Sequence, residues 1–336
     1  MRIKDWHADD RVLVVAEIGN NHEGDFDLAL KMVDEAADAG VDAVKFQTFQ
    51  TARFVHPGDP QRYERMQRFE LAPVQFTKLA ARARLRGLLF LSTPLDLESV
   101  QSLRGCVDAY KIASGDNNFY PLIRAVAETG LPVIASSGAS DLAQVEQCLA
   151  CLRNVWTKTR PTGEVAVLHC VSNYPTQPAH ANLRAIEVLR TTLDCVVGYS
   201  DHTLGIEACL LSVALGARII EKHFTLDKNH SEFRDHQLSA DPTEMAELVR
   251  GVRRATQLLG TPEKRVLEQE REIAGQIRRS IVAARDLPLG HQIAPEDLMW
   301  LRPAGGLRPG EEDLVLGKRL ARPIERAQWV TPADVA

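Results

Sequence analysis

The sequence predicts an α/β protein, a (β/α)8 TIM barrel followed by a small, turn-rich C-terminal domain. Three observations carry this. Eight short runs rich in Val, Ile, Leu and Phe alternate with eight longer segments of helical periodicity. The repeats average about 27 residues, the compact end of the range for barrel units. The runs are almost continuously apolar, as parallel strands covered on both faces must be.

Taken in order, Val12–Gly19 precedes the helical segment Phe26–Ala39, Ala43–Gln47 precedes Val74–Arg86, and Leu88–Pro94 precedes Leu97–Leu103. Ala109–Ser114 leads to Pro121–Thr129, Pro132–Gly138 to Asp141–Arg153, and Val165–Val171 to Leu183–Arg190. Val196–Asp201 leads to Ile206–Leu215, and Arg218–Phe224 to Pro242–Leu259. An open doubly wound sheet is the competing arrangement. Its dinucleotide site needs a glycine-rich turn after the first strand, and Gly19-Asn20-Asn21-His22-Glu23-Gly24 lacks that spacing. The barrel is assigned to residues 1–260. Residues 261–278 are dense in Glu, Arg and Gln and read as a solvated linker with partial helical character. Residues 279–336 form the small domain, with short apolar runs (Ser280–Ala284, Leu298–Leu301, Trp329–Val330) between Gly/Pro turn clusters. So small a unit has a limited core and is expected to lean on the barrel or on another subunit.

Composition is that of a folded protein, with 45% hydrophobic and 25% charged residues among 336. The net charge of −5 leaves no overall basic excess for nonspecific nucleic-acid binding. The first eleven residues carry no apolar signal core, and no apolar stretch is long enough to span a bilayer, so a cytoplasmic protein is expected, with no membrane partner. The six cysteines (Cys106, Cys148, Cys151, Cys170, Cys195, Cys209) sit in apolar segments and read as reduced thiols. Cys148 and Cys151 form a C-x-x-C with no second pair to complete a zinc site.

In a barrel the chemistry sits at the C-terminal ends of the strands. Here those ends carry Glu17, Lys45 and Gln47, Ser92-Thr93, Lys111 with Ser114 and Asp116, Ser136-Ser137, His169 through Tyr174, Ser200 through His202, and Glu221 through His223. Strand side chains alternate, so Lys45 shares a face with Gln47, Ser200 with His202, and Glu221 with His223. Singly, a strand-end lysine ends at solvent and a strand-end hydroxyl satisfies backbone. Polar residues at the same level of all eight strands instead describe a site for a small, strongly anionic ligand. His202 and His223 end neighbouring strands about 4.8 Å apart and are placed to share one ion. With only two imidazoles the ion keeps open positions, and the oxygen-rich surroundings favour Mn²⁺ or Mg²⁺ over a thiolate-loving metal. His169 lies within its strand and is expected to pack.

The stretches AEIGNNHEG (Ala16–Gly24), VKFQTF (Val44–Phe49), STP (Ser92–Pro94), KIASGD (Lys111–Asp116), HCVSNYPT (His169–Thr176), GYSDHTLGIE (Gly198–Glu207) and IEKHFTLD (Ile220–Asp227) resemble the N-acetylneuraminate (sialic acid) synthase family. The tail resembles that family's SAF, or antifreeze-like, β-clip domain. The resemblance covers essentially the whole chain. It implies condensation of phosphoenolpyruvate with N-acetylmannosamine or a related amino sugar, giving a nonulosonic acid and phosphate. Carried over residue by residue, it implies phosphoenolpyruvate contacts from Lys45, Thr93, Lys111, Ser114, Ser137 and Ser200, with Ser172 or Asn173 contributing. It implies metal ligands His202 and His223, with Mn²⁺ foremost and Mg²⁺ or Co²⁺ as substitutes. Glu17, Gln47, Tyr174 and Asp235 become the sugar-facing set, with Asp116 as a sugar-side carboxylate. Arg302 becomes an arginine that reaches across a domain-swapped homodimer. The catalytic set is then Glu17, Lys45, Lys111, His202 and His223.

Three departures from the family pattern concern the sugar side. Asp116 stands in place of Glu, Arg234-Asp235-His236 replaces Gly-Pro-Asp-His, and Ala304 interrupts Arg-Pro-Gly. They leave the acceptor open. A phosphorylated or unacylated aldose is the nearest alternative, with Arg53 and Arg234 as the added positive charge. A non-catalytic saccharide- or ice-binding protein is the alternative of a different class.

Overall fold

The computed structural model describes residues 1–159 and 163–336, which fold as two compact units, residues 1–260 and 261–336. The first is a closed, all-parallel barrel of β1 (Leu13–Gly19), β2 (Ala43–Thr48), β3 (Leu89–Pro94), β4 (Ala109–Ile112), β5 (Val133–Ser136), β6 (Val165–Cys170), β7 (Val196–Asp201) and β8 (Ile219–His223). Closure pairs β8 with β1 in the register His223↔Glu17. The helices that follow the strands are α1 (Phe26–Asp38), α2 (Pro73–Leu85), α3 (Leu97–Ser102), α4 (Tyr120–Glu128), α5 (Leu142–Thr159), α6 (Ala185–Thr192), α7 (Glu207–Ala214) and α8 (Pro242–Leu259). Each strand and helix expected from the sequence is present, with ends displaced by a few residues at most except in α5, which runs six residues past Arg153.

Local chemistry explains the helix starts. Asp25, Asp96 and Asp241 accept the backbone N–H three residues ahead at α1, α3 and α8, and Pro242 occupies the first turn of α8. Alternation divides each strand. Outward side chains such as Val14, Val44, Phe46, Phe90, Tyr110, Val167 and Tyr199 pack against the helices in the main core. Inward side chains are apolar in the lower barrel (Leu13, Val15, Ala43, Leu89, Leu91, Ala109, Ile134, Ala166, Leu168, Ile219). Continuing each row upward at steps of two reaches Glu17, Lys45 and Gln47, Thr93, Lys111, Ser136, Cys170, Ser200 and His202, and Glu221 and His223.

A hairpin and three helices of the first unit lie outside the sequence expectation. A two-stranded hairpin pairs Arg2–Ile3 with Trp6–His7, and Ile3 and Trp6, both wholly buried, join the lower inward core. Two helices, Thr51–Phe54 and Pro60–Phe69, follow β2, and a short helix Arg234–Leu238 follows β8. Phe54, Tyr63, Met66, Phe69 and Phe233 from these segments form a separate apolar cluster with Phe49, Val55 and Leu95.

In the second unit the helix Glu268–Ile277 buries none of its side chains. Strands β9 (Ser280–Ala283) and β10 (Leu298–Leu301) pair antiparallel. The unit has its own core, including Ile281, Leu287, Ile293, Val315, Leu320, Ile324 and Val330. Buried Asp297 is held by Arg285, His291 and the Ala294 N–H. Among the described residues no helix is long and apolar enough to cross a membrane. All six cysteines are free thiols, and Cys148, whose thiol burial pushes up to about 12, is packed into α5.

Candidate active site

The barrel mouth holds a buried ion-pair chain. Lys45 Nζ lies 2.8 Å from Glu17 Oε2 and 3.7 Å from Glu221 Oε2, and donates to Thr93 Oγ1 at 3.1 Å. Lys111 Nζ donates to Ser136 Oγ at 2.6 Å and to Glu221 Oε1 at 3.4 Å. Ser200 Oγ donates to the same Glu221 oxygen at 2.9 Å. Glu17, Lys45, Lys111 and Glu221 are each at most 5% exposed. Burial acts against every charge here, and the neighbours decide the outcome. The two lysines hold Glu221 below the usual carboxylate range despite its burial. Glu17 and Glu221 outweigh burial at Lys45 and raise it, whereas at Lys111 burial wins and lowers it. Burial also raises Glu17, against the pull of Lys45. Glu221 stands among the strand-end residues in the sequence but received no role there. Its position between two lysines becomes visible once β4 and β8 face each other across the barrel.

Beside this chain the Ser114 hydroxyl accepts from the Gly138 N–H at 3.2 Å. A Cβ on Gly138 would lie 2.3 Å from Ser172 Oγ and 2.5 Å from Ser114 Oγ, so two serine side chains close around a position where any larger residue would force them to shift. Ser137 is placed differently from its neighbour. Its hydroxyl donates to the Leu168 carbonyl at 2.9 Å, and the serine on Lys111 is Ser136, the last inward-facing residue of β5. Asn173 is exposed on the loop after β6. Asp116 ends a 3-10 turn, Ser114–Asp116, and burial pushes its carboxyl up to about 6.

His202 and His223 come together with ring centres 5.4 Å apart. His202 Nδ1 is 2.8 Å from the Val171 carbonyl, which fixes that nitrogen as the donor and leaves Nε2 free. His223 Nδ1 is buried without a hydrogen-bond partner. Burial pushes the His223 imidazole well below its usual range, so it is a neutral lone-pair donor. An unpartnered ring nitrogen beside a second imidazole of fixed tautomer fits a shared divalent ion. His169 packs, as expected, with Nε2 2.9 Å from the Ala181 carbonyl and its ring stacked on Tyr199.

Tyr174 lies over His202 at 4.0 Å between ring centres, and the Arg234 guanidinium sits 4.9 Å over the Tyr174 ring. Gln47 donates to Glu17 Oε1 at 3.3 Å and accepts from Asn20 at 2.8 Å. Asp235, raised by burial, lies 3.5 Å from Arg234 Nε. Gln47, Asn20, Arg234 and Asp235 line a cavity of about 790 Å³ that is also lined by Arg62, Arg65 and Arg68 from the helix Pro60–Phe69. Those three arginines were missed in the sequence, although Asp59-Pro60, an N-cap followed by proline at the first helical position, signals the helix that carries them. Arg53 instead pairs with Glu98 at 2.8 Å on an exposed surface. Arg302 is exposed in the second unit, just beyond β10.

The NeuB family profile matches residues 32–264, and the SAF domain profile matches residues 278–336. A protein of Methanocaldococcus jannaschii without an assigned function is 42% identical over 308 residues, 91% of this chain and 89% of that protein. The N,N'-diacetyllegionaminic acid synthase of Legionella pneumophila is 38% identical over 322 residues, 92% of this chain and 90% of the synthase. A crystal structure of an N-acetylneuraminic acid (sialic acid) synthetase from Leptospira borgpetersenii, in complex with citrate, superposes with a TM-score of 0.73 at 37% identity. The match covers 79% of this chain and 90% of that one.

Proposed function

The chain belongs to the NeuB family, and from that membership and the barrel-mouth geometry we propose that it condenses phosphoenolpyruvate with an amino aldose. N-acetylmannosamine and its diacetamido relatives are the acceptor class, and the products are a nonulosonic acid and phosphate. The observation that carries this reading is the pair of buried lysines, Lys45 and Lys111, bridged by Glu221 beside His202 and His223. A phosphoenolpyruvate trianion offers the lysines the negative charge they now draw from carboxylates.

In this reading Lys45, Lys111, Thr93, Ser200 and the Ser114–Gly138–Ser172 cradle bind and orient the enol phosphate, turning C3 towards the acceptor. His202 and His223 would hold a divalent ion, Mn²⁺ by the oxygen-rich chemistry around them, which when bound polarises the acceptor carbonyl. As C3 bonds to the aldehyde carbon, Glu17, placed between Lys45 and Gln47, supplies the proton its oxygen needs. One water then adds at C2 and the C–O bond to phosphate breaks, one of the water's protons restoring Glu17 and the other leaving with the phosphate, so one phosphate is released per product. Gln47, Tyr174, Asp116 and Asp235 face the acceptor. Residues 1–260 form the catalytic unit, and residues 279–336 act as a lid that, in a homodimer, brings Arg302 to the partner's acceptor. The protein works in the cytoplasm.

The arginines Arg62, Arg65, Arg68 and Arg234 favour one further reading, an acceptor that carries a phosphate. A panel of free and phosphorylated aldoses, assayed for phosphate release with phosphoenolpyruvate and Mn²⁺, tests both. Release is expected with at least one acceptor and is abolished in His202→Ala and Lys111→Ala. Release that survives chelation and both substitutions refutes the mechanism.

A further inference from the structure

At the edge of the acceptor cavity, apart from His202 and His223, the loop after β8 meets the loop after β1. Glu23, His230 and His236 each bring one ligand atom there, and these atoms all lie within 4.8 Å of one another. His236 is 1% exposed and fixed in orientation. Its Nδ1 is engaged by Thr225 Oγ1 at 2.6 Å, and the same hydroxyl lies 3.1 Å from the Asp227 carbonyl. The other ring nitrogen, Nε2, faces Glu23 Oε1 at 3.1 Å, and the Ser231 hydroxyl donates to the same oxygen.

With the ring proton on Nδ1, donated to Thr225, the Nε2 lone pair and the carboxylate oxygen repel at that distance unless a cation lies between them. The separation is close to the roughly 3.3 Å expected between two ligands about 2.0 Å from a tetrahedral ion. His230, whose ring centre is 5.0 Å from that of His236, stands on the exposed side and completes a set of two imidazoles and one carboxylate. Thr225 supplies the outer hydrogen bond that metal-binding histidines characteristically have.

We propose that Glu23, His230 and His236 form a second divalent-cation site, suited to a borderline ion of the Zn²⁺ type, with an open position for water. The ion ties the β8 loop to the β1 loop. Arg234 and Asp235, which lie in the chain between the two histidines, are thereby held at the acceptor cavity.

Chelator-treated full-length protein is titrated with Zn²⁺ by calorimetry and with Co²⁺ by visible absorption. Wild type is expected to bind two equivalents, one of them absent in His230→Ala and weakened in Glu23→Gln. The His202→Ala/His223→Ala double variant is expected to keep one equivalent, which His230→Ala then removes. His230 is exposed, so circular dichroism and the melting temperature of its metal-free variant should match wild type. A single wild-type equivalent that disappears with His230→Ala but persists in the double variant supports this site and refutes the His202/His223 pair. Unchanged stoichiometry and affinity in both His230→Ala and Glu23→Gln overturns the proposal. His236 ring resonances that respond to pH but not to Zn²⁺ overturn it too, because a shared proton then takes the ion's place.

Discussion

Replacing Glu221 by glutamine removes one negative charge from between two buried lysines while keeping the side-chain shape and an acceptor for Ser200. Lys45 retains Glu17 at 2.8 Å, so the loss falls mainly on Lys111, whose carboxylate neighbour is Glu221 at 3.4 Å. At an effective dielectric of about 20, an ion pair at that distance is worth roughly 5 kcal/mol before the cost of desolvation. Removing one partner of a buried pair typically costs about 3–5 kcal/mol. The low end is appropriate here, because the amide keeps its hydrogen bonds. A loss of about 3 kcal/mol corresponds to a fall of roughly 6–12 °C in the melting temperature of a domain this size. Phosphoenolpyruvate should reverse much of that fall. In wild type the ligand competes with Glu221 for the lysines, and in the variant it does not. Glu221→Gln should therefore bind phosphoenolpyruvate about tenfold more tightly, a difference of about 1.4 kcal/mol, and gain more degrees from it than wild type does. Urea denaturation and thermal melts with and without ligand measure both effects. A variant as stable as wild type that binds phosphoenolpyruvate no more tightly would falsify the assignment of Glu221 as the lysines' stand-in anion.

Gly138→Ala places a methyl 2.3 Å from Ser172 Oγ and 2.5 Å from Ser114 Oγ. It should raise KM for phosphoenolpyruvate at least about tenfold, with overpacking costing about 1–3 kcal/mol; steady-state kinetics with an unchanged KM refute the cradle. Asp116, with its carboxyl raised to about 6, binds its proton more tightly when folded than at the ordinary aspartate value near 3.9. Folding stability should therefore fall as pH rises from about 4 to 6 and stay lower above. Asp116→Asn should match wild type near pH 4 and exceed it at pH 8 in urea titrations; parallel pH profiles contradict this. Arg234→Ala removes the guanidinium stacked 4.9 Å over Tyr174 and should raise KM for the aldose about fivefold, at roughly 1 kcal/mol, leaving that for phosphoenolpyruvate alone. Trp6→Ala empties a wholly buried site under the barrel and should cost about 3–5 kcal/mol in denaturant titrations, while kcat at low temperature stays near wild type.

Much of the barrel was legible because its determinants are local. A strand covered on both faces must be apolar throughout, and a helix start is written in an aspartate and a proline. Strand alternation likewise puts Lys45 on one face with Gln47, Ser200 with His202, and Glu221 with His223. The departures have equally local causes. The hairpin Arg2–Ile3/Trp6–His7 comprises two strands of two residues each, too short for any periodicity to register. In Pro60–Phe69 only Met66 and Phe69 are buried, so the helix shows little apolar stripe.

The sequence alone therefore determined the succession of strands and helices and the polar crown at the strand ends, because these follow from periods of two and about 3.6 residues along one chain. Tertiary structure decided which of those side chains meet. Closure sets His223 beside Glu17, some two hundred residues apart in the chain. It suspends Glu221 between Lys45 and Lys111, and it turns Ser136 rather than Ser137 towards Lys111. Those pairings depend on register around a closed ring and on mutual burial of charge, which no stretch of sequence contains by itself.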